Sequence, residues 1–137
     1  MKRFVTTLFL ASAPMSALLT APTLAAEAAL APEVSLDELK KIVAEKNATL
    51  IDVNGESTYK KGHIPGAIHY AQNAKNFQAV LPKDKGALVV AYCGGPLCTA
   101  WEDAAKAAKS LGYTNVKHFK GGIKGWTEAG QSVEKGS

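Results

Sequence analysis

The stretch "ALVVAYCGGPLCTAW", residues 87–101, decides the fold. Its first six residues are all apolar, which is typical of a central parallel strand that is covered on both faces. A short loop with two glycines and one proline follows, and it runs from Cys93 to Cys98, the two cysteines of the chain. The stretch therefore predicts a buried strand that ends in a cysteine-containing turn.

A helix is predicted directly after this loop. Residues 99–102 read T-x-x-E, the pattern of a capping box, so Thr99 is expected to cap a helix that stops at Gly112. Alanines dominate one face of this segment, which would let it approach the sheet closely. Strand, loop and helix in this order are the central unit from which we place the other elements.

The remaining elements alternate around that unit. A second capping box, S-x-x-E at residues 35–38, predicts a helix that ends near Asn47. Further strands are predicted at residues 49–53, 67–70 and 116–119, a helix at 73–81, and a loop leading into a helical turn at 121–126. This alternation, with connections too long for hairpins, predicts an α/β domain with a mainly parallel sheet and helices on both faces.

The start of the chain has the layout of a secretory signal peptide. Lys2 and Arg3 precede a mostly apolar run, and small residues cluster after it. The run is too short and too rich in Ser, Thr and Pro to predict a membrane anchor, so no stable membrane span is expected after cleavage. We expect a periplasmic protein with these parts: signal peptide 1–26, cut after Ala25, Ala26 or Ala28; short leader 27–33; domain 34–130; frayed tail 131–137.

Charge excludes some classes of partner. The chain of 137 residues has a net charge of +4, and loss of Lys2 and Arg3 with the signal peptide lowers it to +2. No basic helix or dense lysine run is present in the sequence. Neither nucleic acid nor a membrane surface is therefore expected as a partner.

The cysteine loop has features of a nucleophilic site. Cys93 follows the most apolar strand, and ligands of open α/β sheets bind at the carboxyl ends of strands. Two glycines let successive N–H groups turn towards the Cys93 sulfur, and the next helix adds the positive end of its dipole. Both effects favour thiolate over thiol. The candidate catalytic residue is Cys93, and the candidate substrate-binding loop is Gly94, Gly95, Pro96, Leu97, Cys98 and Thr99.

Four stretches together resemble the rhodanese homology domain across residues 34–130. They are "LIDVNGESTYKKGHIPGAIHY", "LVVAYC", "CGGPLC" and "GGIKGW". The resemblance implies a rhodanese-like three-layer sandwich with a five-stranded, mainly parallel sheet. It also implies a sulfurtransferase in which Cys93 carries a sulfane sulfur as a persulfide and passes it to a thiol or another nucleophile, while Asp52 and GHIPGA serve as scaffold.

The same resemblance predicts the partners. A small sulfur-containing substrate or a thiol acceptor is expected, with a periplasmic protein as a further partner, and no metal or organic cofactor is implied. The loop departs from the family pattern, because Gly94 and Cys98 stand where basic residues are common. Its lack of charge predicts weak thiosulfate activity. Four lysines outside the loop are candidates to replace that charge or are ordinary surface residues: Lys60, Lys61, Lys120 and Lys124.

Other interpretations of the cysteines remain open. Exported proteins often pair their cysteines, so Cys93 and Cys98 are also candidates for a structural disulfide or for a periplasmic thiol–disulfide or sulfur-sensing protein. We expect the loop to hold the two α-carbons too far apart for a relaxed bridge. A rhodanese-like module that binds a partner without turnover is the third interpretation, although the cysteine at the nucleophile position argues against it.

Two further alternatives are weaker. A cysteine phosphatase needs an arginine at the end of its loop to clamp the phosphate dianion, and this loop has none. Zinc is suggested by the spacings His63-x5-His69 and Cys93-x4-Cys98. Because these pairs fall in a turn, a strand and a strand–loop–helix unit, structural roles are favoured and no metal site is predicted.

Overall fold

A parallel four-stranded sheet organises the chain. The computed structural model describes residues 30–137, so the predicted signal peptide lies outside the described residues. The strands, in the spatial order β2-β1-β3-β4, are β1 Thr49–Asp52, β2 Ile68–His69, β3 Val89–Tyr92 and β4 Val116–Phe119. All neighbouring pairs are parallel, and β3 is buried at every residue. The continuous apolar run of the sequence is thus explained by a central position.

Helices cover both faces of this sheet. They are α1 Leu36–Glu45, α2 Glu56–Lys61, α3 Tyr70–Asn73, α4 Phe77–Val80, α5 Trp101–Ser110 and α6 Gly122–Glu128, with a 3-10 turn at Ala74–Asn76. Val89 and Ala91 pack with α4 and α5 on one face, whereas Val90 and Tyr92 pack with α1 and α6 on the other. This alternation follows from the two-residue period of a strand. The predicted three-layer sandwich is confirmed.

The expectation of a fifth strand is wrong. Glu33 makes only an isolated parallel bridge to His118, at the edge where a further strand would lie. The Val34 N–H donates to the His118 carbonyl at 2.8 Å, and the His118 N–H donates to the Pro32 carbonyl at 3.0 Å. Pro32 has no N–H to extend the ladder. Ser35 already caps α1, since its hydroxyl accepts from the Glu38 N–H at 3.2 Å. Because Pro32 precedes this segment and the Ser35 cap follows it, only one bridge, Glu33 to His118, is formed.

Both ends of the described chain are more ordered than the sequence suggests. Ala31, in the expected leader, is fully buried, and its carbonyl accepts from the His118 ring Nδ1 at 2.7 Å. The tail after Gly130 is not frayed, because Glu134 exchanges two backbone hydrogen bonds with His63. Trp126 adds a third tie from its indole N–H to the Ser132 carbonyl at 2.8 Å.

Two helical predictions also need correction. The expected helix at 73–81 is broken into α3, the 3-10 turn and α4, and Asn76 has φ −136° at the second break. The polar segment with Tyr59, for which no element was predicted, forms α2. Within residues 30–137, no helix has the length and apolar character needed to span a membrane.

Candidate active site

Cys93 lies at the carboxyl end of the central strand. It follows Tyr92, the last residue of β3, and it is only 4% exposed. Its neighbours in the buried cluster include Trp101 and Ala105 of α5. The side chain that is predicted to be the nucleophile is therefore buried rather than exposed on the surface.

Backbone hydrogen bonds from α6 hold the loop that follows Cys93. The Ile123 N–H donates to the Cys93 carbonyl at 2.9 Å, and the Lys124 N–H donates to the Gly94 carbonyl at 3.0 Å. Inside the loop, the Cys98 N–H donates to the Gly95 carbonyl at 3.1 Å. The loop carbonyls are thus turned towards α6 and towards the loop's own turn, and no side chain is needed to fix them.

Gly122 makes this contact possible. A Cβ atom at this position would lie 2.5 Å from the Cys93 carbonyl oxygen and 2.6 Å from the Gly95 nitrogen. Its φ of +62° lies in the left-handed region that side chains disfavour. The second glycine of "GGIKGW" is therefore required both by its conformation and by the close approach of α6 to the loop.

A disulfide joins Cys93 to Cys98. The two α-carbons are 6.1 Å apart, within the usual range for a bridge of about 4.4–6.8 Å. The expectation that the loop would hold them too far apart is wrong, because the turn closed by Cys98 and Gly95 brings the chain back on itself. The structure thus represents the oxidised form of the loop, in which neither cysteine is a free thiol.

Three backbone N–H groups of the loop have no hydrogen-bond acceptor among residues 30–137. Among residues 30–137, no protein acceptor pairs with the N–H groups of Gly94, Gly95 and Leu97. Pro96 has no N–H to offer. Three unpaired amides beside a cysteine are suited to an anionic sulfur species, since each can donate one hydrogen bond.

Thr99 does not have the capping role predicted for it. Helix α5 begins at Trp101, and its N-cap is Ala100, which has no side chain able to accept a hydrogen bond. The Glu102 N–H bonds to the backbone carbonyl of Thr99 at 3.0 Å. The Glu102 carboxylate binds Lys106 at 3.0 Å instead of reaching back. The T-x-x-E pattern therefore marks the helix start to within two residues but not its cap.

A shallow cavity of about 280 Å³ lies over the loop, lined by Gly94 to Cys98 and by Lys124. Leu97, one of the lining residues, is 96% exposed. Lys124 is the one of the four candidate lysines that lines this cavity, and its Nζ is 3.9 Å from a Glu128 carboxylate oxygen. Of the other three candidate lysines, Lys60 pairs with Glu56 at 2.6 Å, and Lys61 and Lys120 do not line this cavity.

A buried polar cluster supports the loop from below. The Tyr92 hydroxyl donates to an Asp52 carboxylate oxygen at 2.7 Å and accepts from the Ile64 N–H at 3.0 Å. Burial, with the nearby Asp52 charge, raises the pKa of Tyr92 well above its ordinary value. Asp52 also accepts from the Asn54 N–H at 2.7 Å and from its side-chain amide at 2.8 Å. The scaffold role expected of Asp52 is what these contacts describe.

Asn54 is a site residue that sequence reasoning missed. Its side-chain oxygen lies 3.2 Å from where a Cβ on Gly94 would stand, so it touches the residue after the cysteine. The His69 ring donates from Nε2 to the Asn54 carbonyl at 2.7 Å and holds this turn in place. A polar residue two positions after a buried strand aspartate was the available signal, since Asx side chains often bond locally in turns.

The histidines serve the scaffold. Tyr59 stacks on His63 with ring centroids 3.8 Å apart and on His69 with centroids 4.7 Å apart. The His63 Nδ1 donates to the Tyr59 carbonyl at 2.9 Å. In the part of the chain that the structure describes, no group of three or more His, Cys, Asp or Glu side chains could hold a metal ion. The spacings that suggested zinc thus correspond to a ring stack and a disulfide.

A parallel α/β sandwich with a cysteine loop at the carboxyl end of its central strand defines the class of this protein. The family model described as "Rhodanese-like domain" matches residues 35–129. The chain therefore belongs to the rhodanese-like family. This confirms the resemblance drawn from the sequence motifs and their order.

Curated relatives of two kinds are found. The human thiosulfate:glutathione sulfurtransferase is 31% identical over 111 residues, which cover 72% of this chain and 95% of that protein. The HTH-type transcriptional regulator Rv0324 of Mycobacterium tuberculosis is 38% identical over 91 residues, covering 65% of this chain. The chain spans only 38% of the length of that regulator. A rhodanese-like domain thus makes up nearly the whole of one relative, a sulfurtransferase, and only part of another, longer relative.

Solved structures agree with the fold. Human single-domain sulfurtransferase TSTD1 superposes with a TM-score of 0.58 at 30% identity, over 72% of this chain and 96% of that one. The BH2092 protein of Bacillus halodurans gives a TM-score of 0.62 at 29% identity, over 75% and 76% of the two chains. At family level, the relatives that are named as sulfurtransferases support a rhodanese-like enzyme.

Proposed function

We propose that this protein is a sulfurtransferase that carries a sulfane sulfur as a persulfide on Cys93. The observation that carries the proposal is the position of Cys93 at the end of β3, under a loop whose amides at Gly94, Gly95 and Leu97 are unpaired within residues 30–137. The relative named thiosulfate:glutathione sulfurtransferase, which this chain covers almost end to end, supports the same chemistry.

The reaction begins from the reduced loop. The Cys93 thiolate attacks the outer sulfur of a donor such as thiosulfate, a new S–S bond forms, and the donor's own sulfur–sulfur bond breaks with its electron pair leaving on sulfite. A thiolate acceptor then attacks the outer sulfur of the Cys93 persulfide. The bond to Cys93 breaks, and Cys93 leaves as a thiolate ready for another donor.

The residues around Cys93 have separate parts in this sequence. The loop amides stabilise negative charge on the Cys93 sulfur and on the persulfide, as hydrogen bonds to an anion do. The α6 backbone keeps those amides in place through the Cys93 and Gly94 carbonyls. Lys124, at the edge of the cavity, attracts an anionic donor, while Asn54 packs against Gly94 from the side of the sheet.

Intact mass measurement tests the proposal. The protein is reduced, freed of reductant and exposed to thiosulfate. We expect Cys98→Ser to gain one sulfur atom, because its Cys93 cannot return to the disulfide, and we expect Cys93→Ser to gain none. Wild-type protein is the matched control, since Cys98 can displace hydrosulfide from its persulfide and re-form the bridge. Absence of sulfur uptake by Cys98→Ser, with thiosulfate and with an organic persulfide donor, would contradict the proposal.

A second candidate function is thiol–disulfide exchange. The disulfide between Cys93 and Cys98 favours it, with an ordinary α-carbon separation of 6.1 Å. In this case either cysteine substitution abolishes activity equally, whereas sulfur transfer survives in Cys98→Ser. Reduction and oxidation of a dithiol substrate by the wild-type protein, without sulfur uptake by any variant, would select this function.

We also propose that residues 1–26 direct export to the periplasm, on the signal-peptide layout of the sequence. In an oxidising periplasm a Cys93–Cys98 disulfide would persist, whereas such bonds are rare in the bacterial cytosol. Amino-terminal sequencing of the protein recovered from the periplasm tests this, with a start after Ala25, Ala26 or Ala28 expected. A start at Met1 in that fraction, or recovery only from the cytosol, contradicts it.

A further inference from the structure

We propose that a dithiol protein opens the oxidised loop by docking on Leu97 and attacking the sulfur of Cys98, not that of Cys93. This inference rests on the proposed function for its purpose, because Cys93 must be released before it can accept sulfur. It is based on the unequal exposure of the two cysteines and on the exposed position of Leu97 beside Cys98.

The two cysteine residues are not equally exposed. Cys93 is 4% exposed and belongs to the buried cluster under α5, whereas Cys98 is only partly buried and lines the cavity over the loop. Thiol–disulfide exchange requires the incoming thiolate to reach one of the two sulfurs, and access is one of the factors that set its rate. An external thiolate therefore meets Cys98 first.

Of the two cysteines in the disulfide, Cys93 is the better leaving group. Attack at Cys98 expels Cys93 as a thiolate, and the two residues that follow it, Gly94 and Gly95, have backbone N–H groups with no acceptor among residues 30–137. These donors stabilise the departing charge, and a stabilised thiolate leaves faster. Attack at Cys93 would instead expel Cys98, which lies at the other end of the loop and donates its own N–H to Gly95.

Leu97 provides the place for a protein to dock. A single exposed leucine is ordinary on a protein surface. This one is 96% exposed, precedes the cysteine to be attacked, and follows exposed Pro96. No other large apolar side chain within residues 30–137 is exposed in this way. An apolar contact patch directly beside a disulfide fits a protein whose own cysteines lie in an apolar surface.

A dithiol is the partner that completes the chemistry. One partner thiolate attacks Cys98, forming a mixed disulfide and releasing the Cys93 thiolate. The second partner thiolate attacks the first partner sulfur, forming the partner's own disulfide and releasing the Cys98 thiolate. Two electrons pass from the partner to the loop, the two thiolates take up protons according to their pKa values, and no other reagent is consumed.

Trapping identifies the sulfur that is attacked. The oxidised protein is mixed with a thioredoxin whose second active-site cysteine is replaced by serine, so that the mixed disulfide cannot resolve. Digestion without reductant and mass spectrometry then locate the linkage. We expect the thioredoxin peptide on Cys98, with Cys93 free to react with an alkylating agent. A linkage on Cys93 overturns the proposal.

Substitution of Leu97 tests the docking surface. Leu97→Ser is expected to slow reduction of the loop by intact thioredoxin about tenfold, given the usual gain from burying a leucine side chain, with no change in reduction by dithiothreitol. Leu97→Met, which keeps an apolar side chain, is the matched control and should behave as wild type. Equal rates for all three proteins with thioredoxin, or equal slowing with dithiothreitol, overturn the docking surface.

These measurements follow opening of the disulfide without any sulfur donor. If the loop opens as proposed and reduced Cys98→Ser then takes up no sulfur, the proposed function fails while this inference stands. If sulfur uptake is normal and the trapped linkage lies on Cys93, the inference fails while the proposed function stands.

Discussion

Tyr92 and Cys93 are neighbours in the chain, yet they are held in different ways. The Tyr92 side chain is fully buried and fixed by hydrogen bonds to Asp52 and Ile64. Cys93 and the residues after it are fixed by backbone hydrogen bonds, from Ile123 and Lys124 of α6 and within the loop, in addition to the disulfide to Cys98. One residue marks the end of a side-chain scaffold, and the next begins a backbone-defined site.

This difference between a side-chain scaffold and a backbone-defined loop predicts which positions tolerate substitution. Replacement of a scaffold side chain leaves buried polar partners unsatisfied, which is costly. Replacement of a loop side chain leaves the carbonyls of Cys93 and Gly94 bound to α6 as before. The loop can therefore have the uncharged residues Gly94 and Cys98 without losing its shape. The shape of the loop does, however, depend on the close approach of α6.

The largest expected effect comes from Gly122→Ala. The new Cβ would lie within 2.7 Å of three backbone atoms of the loop, so the loop must move and the positive φ becomes strained. We expect sulfur uptake to fall by roughly a hundredfold, as misplacement of a catalytic group by about 1 Å can cause. Gly130→Ala is the matched control, because its φ is also positive, at +70°, but no atom lies within 4 Å of the added Cβ.

The rate of sulfur uptake and the thermal unfolding midpoint are measured for both glycine variants. Gly130→Ala should lose only about 1–2 kcal/mol of stability from backbone strain and should keep its sulfur uptake. If both variants lose the same activity, the loop is not defined by its contact with α6, and the distinction between scaffold and loop is lost.

Tyr92→Phe, in contrast to Gly122→Ala, should lower stability and leave sulfur uptake unchanged. It removes the hydroxyl shared by Asp52 and Ile64 and leaves two buried polar groups without their partner. We expect a loss of about 2–4 kcal/mol in the free energy of unfolding, with sulfur uptake retained in the folded protein. Denaturant unfolding gives the first quantity and intact mass the second. Loss of uptake at unchanged stability would show that the scaffold takes part in the chemistry.

Tyr92 also predicts that the stability of the protein depends on pH in the alkaline range. Burial and the Asp52 charge raise the pKa of Tyr92, so the folded protein keeps this proton where the unfolded chain releases it near pH 10. Stability from this group is therefore complete below about pH 10 and falls as pH rises further, by about 1.4 kcal/mol per pH unit. Burial also raises the pKa of Tyr59, which adds to the fall. Tyr92→Phe should show a shallower decline than wild type, and parallel curves would contradict this account.

The smallest expected effect is that of Lys124→Gln. Its amine is mostly exposed, so the loss of its attraction for an anionic donor should raise the KM for thiosulfate by about two- to fivefold, with kcat unchanged. The difference should shrink as salt is added, because exposed charges are screened. Lys120→Gln removes the same charge outside the cavity and should match wild type. An equal rise in KM for both variants would mean that general charge, not the loop surface, attracts the donor.

Much of the fold is present in the sequence as pattern. The apolar run at 87–92 predicts the central strand, and Ser35 predicts the start of α1, because both signals are local. The broken helix at 70–80 and the missing fifth strand depend on single residues, Asn76 and Pro32, whose effects are set by what lies beside them. The ordered tail depends on a partner, His63, far away in sequence.

The site was predictable to a lesser degree. The sequence places Cys93 at a strand end and marks Gly122 as part of a motif, yet the hydrogen bonds from Ile123 and Lys124 are visible only in three dimensions. Asn54 was not predicted because its contact with Gly94 joins the loop after β1 to the loop after β3. The disulfide was misjudged because the distance between Cys93 and Cys98 depends on a turn that residue spacing alone does not define.

The dependence of the loop on α6 also orders events during synthesis. Cys93 is made well before Ile123 and Lys124, so a growing chain exposes both cysteines while the segment that shapes the loop does not yet exist. The tail that ties Glu134 to His63 comes later still. The loop therefore gains these backbone contacts only when α6 has docked, and a chain that ends before α6 has both cysteines without them.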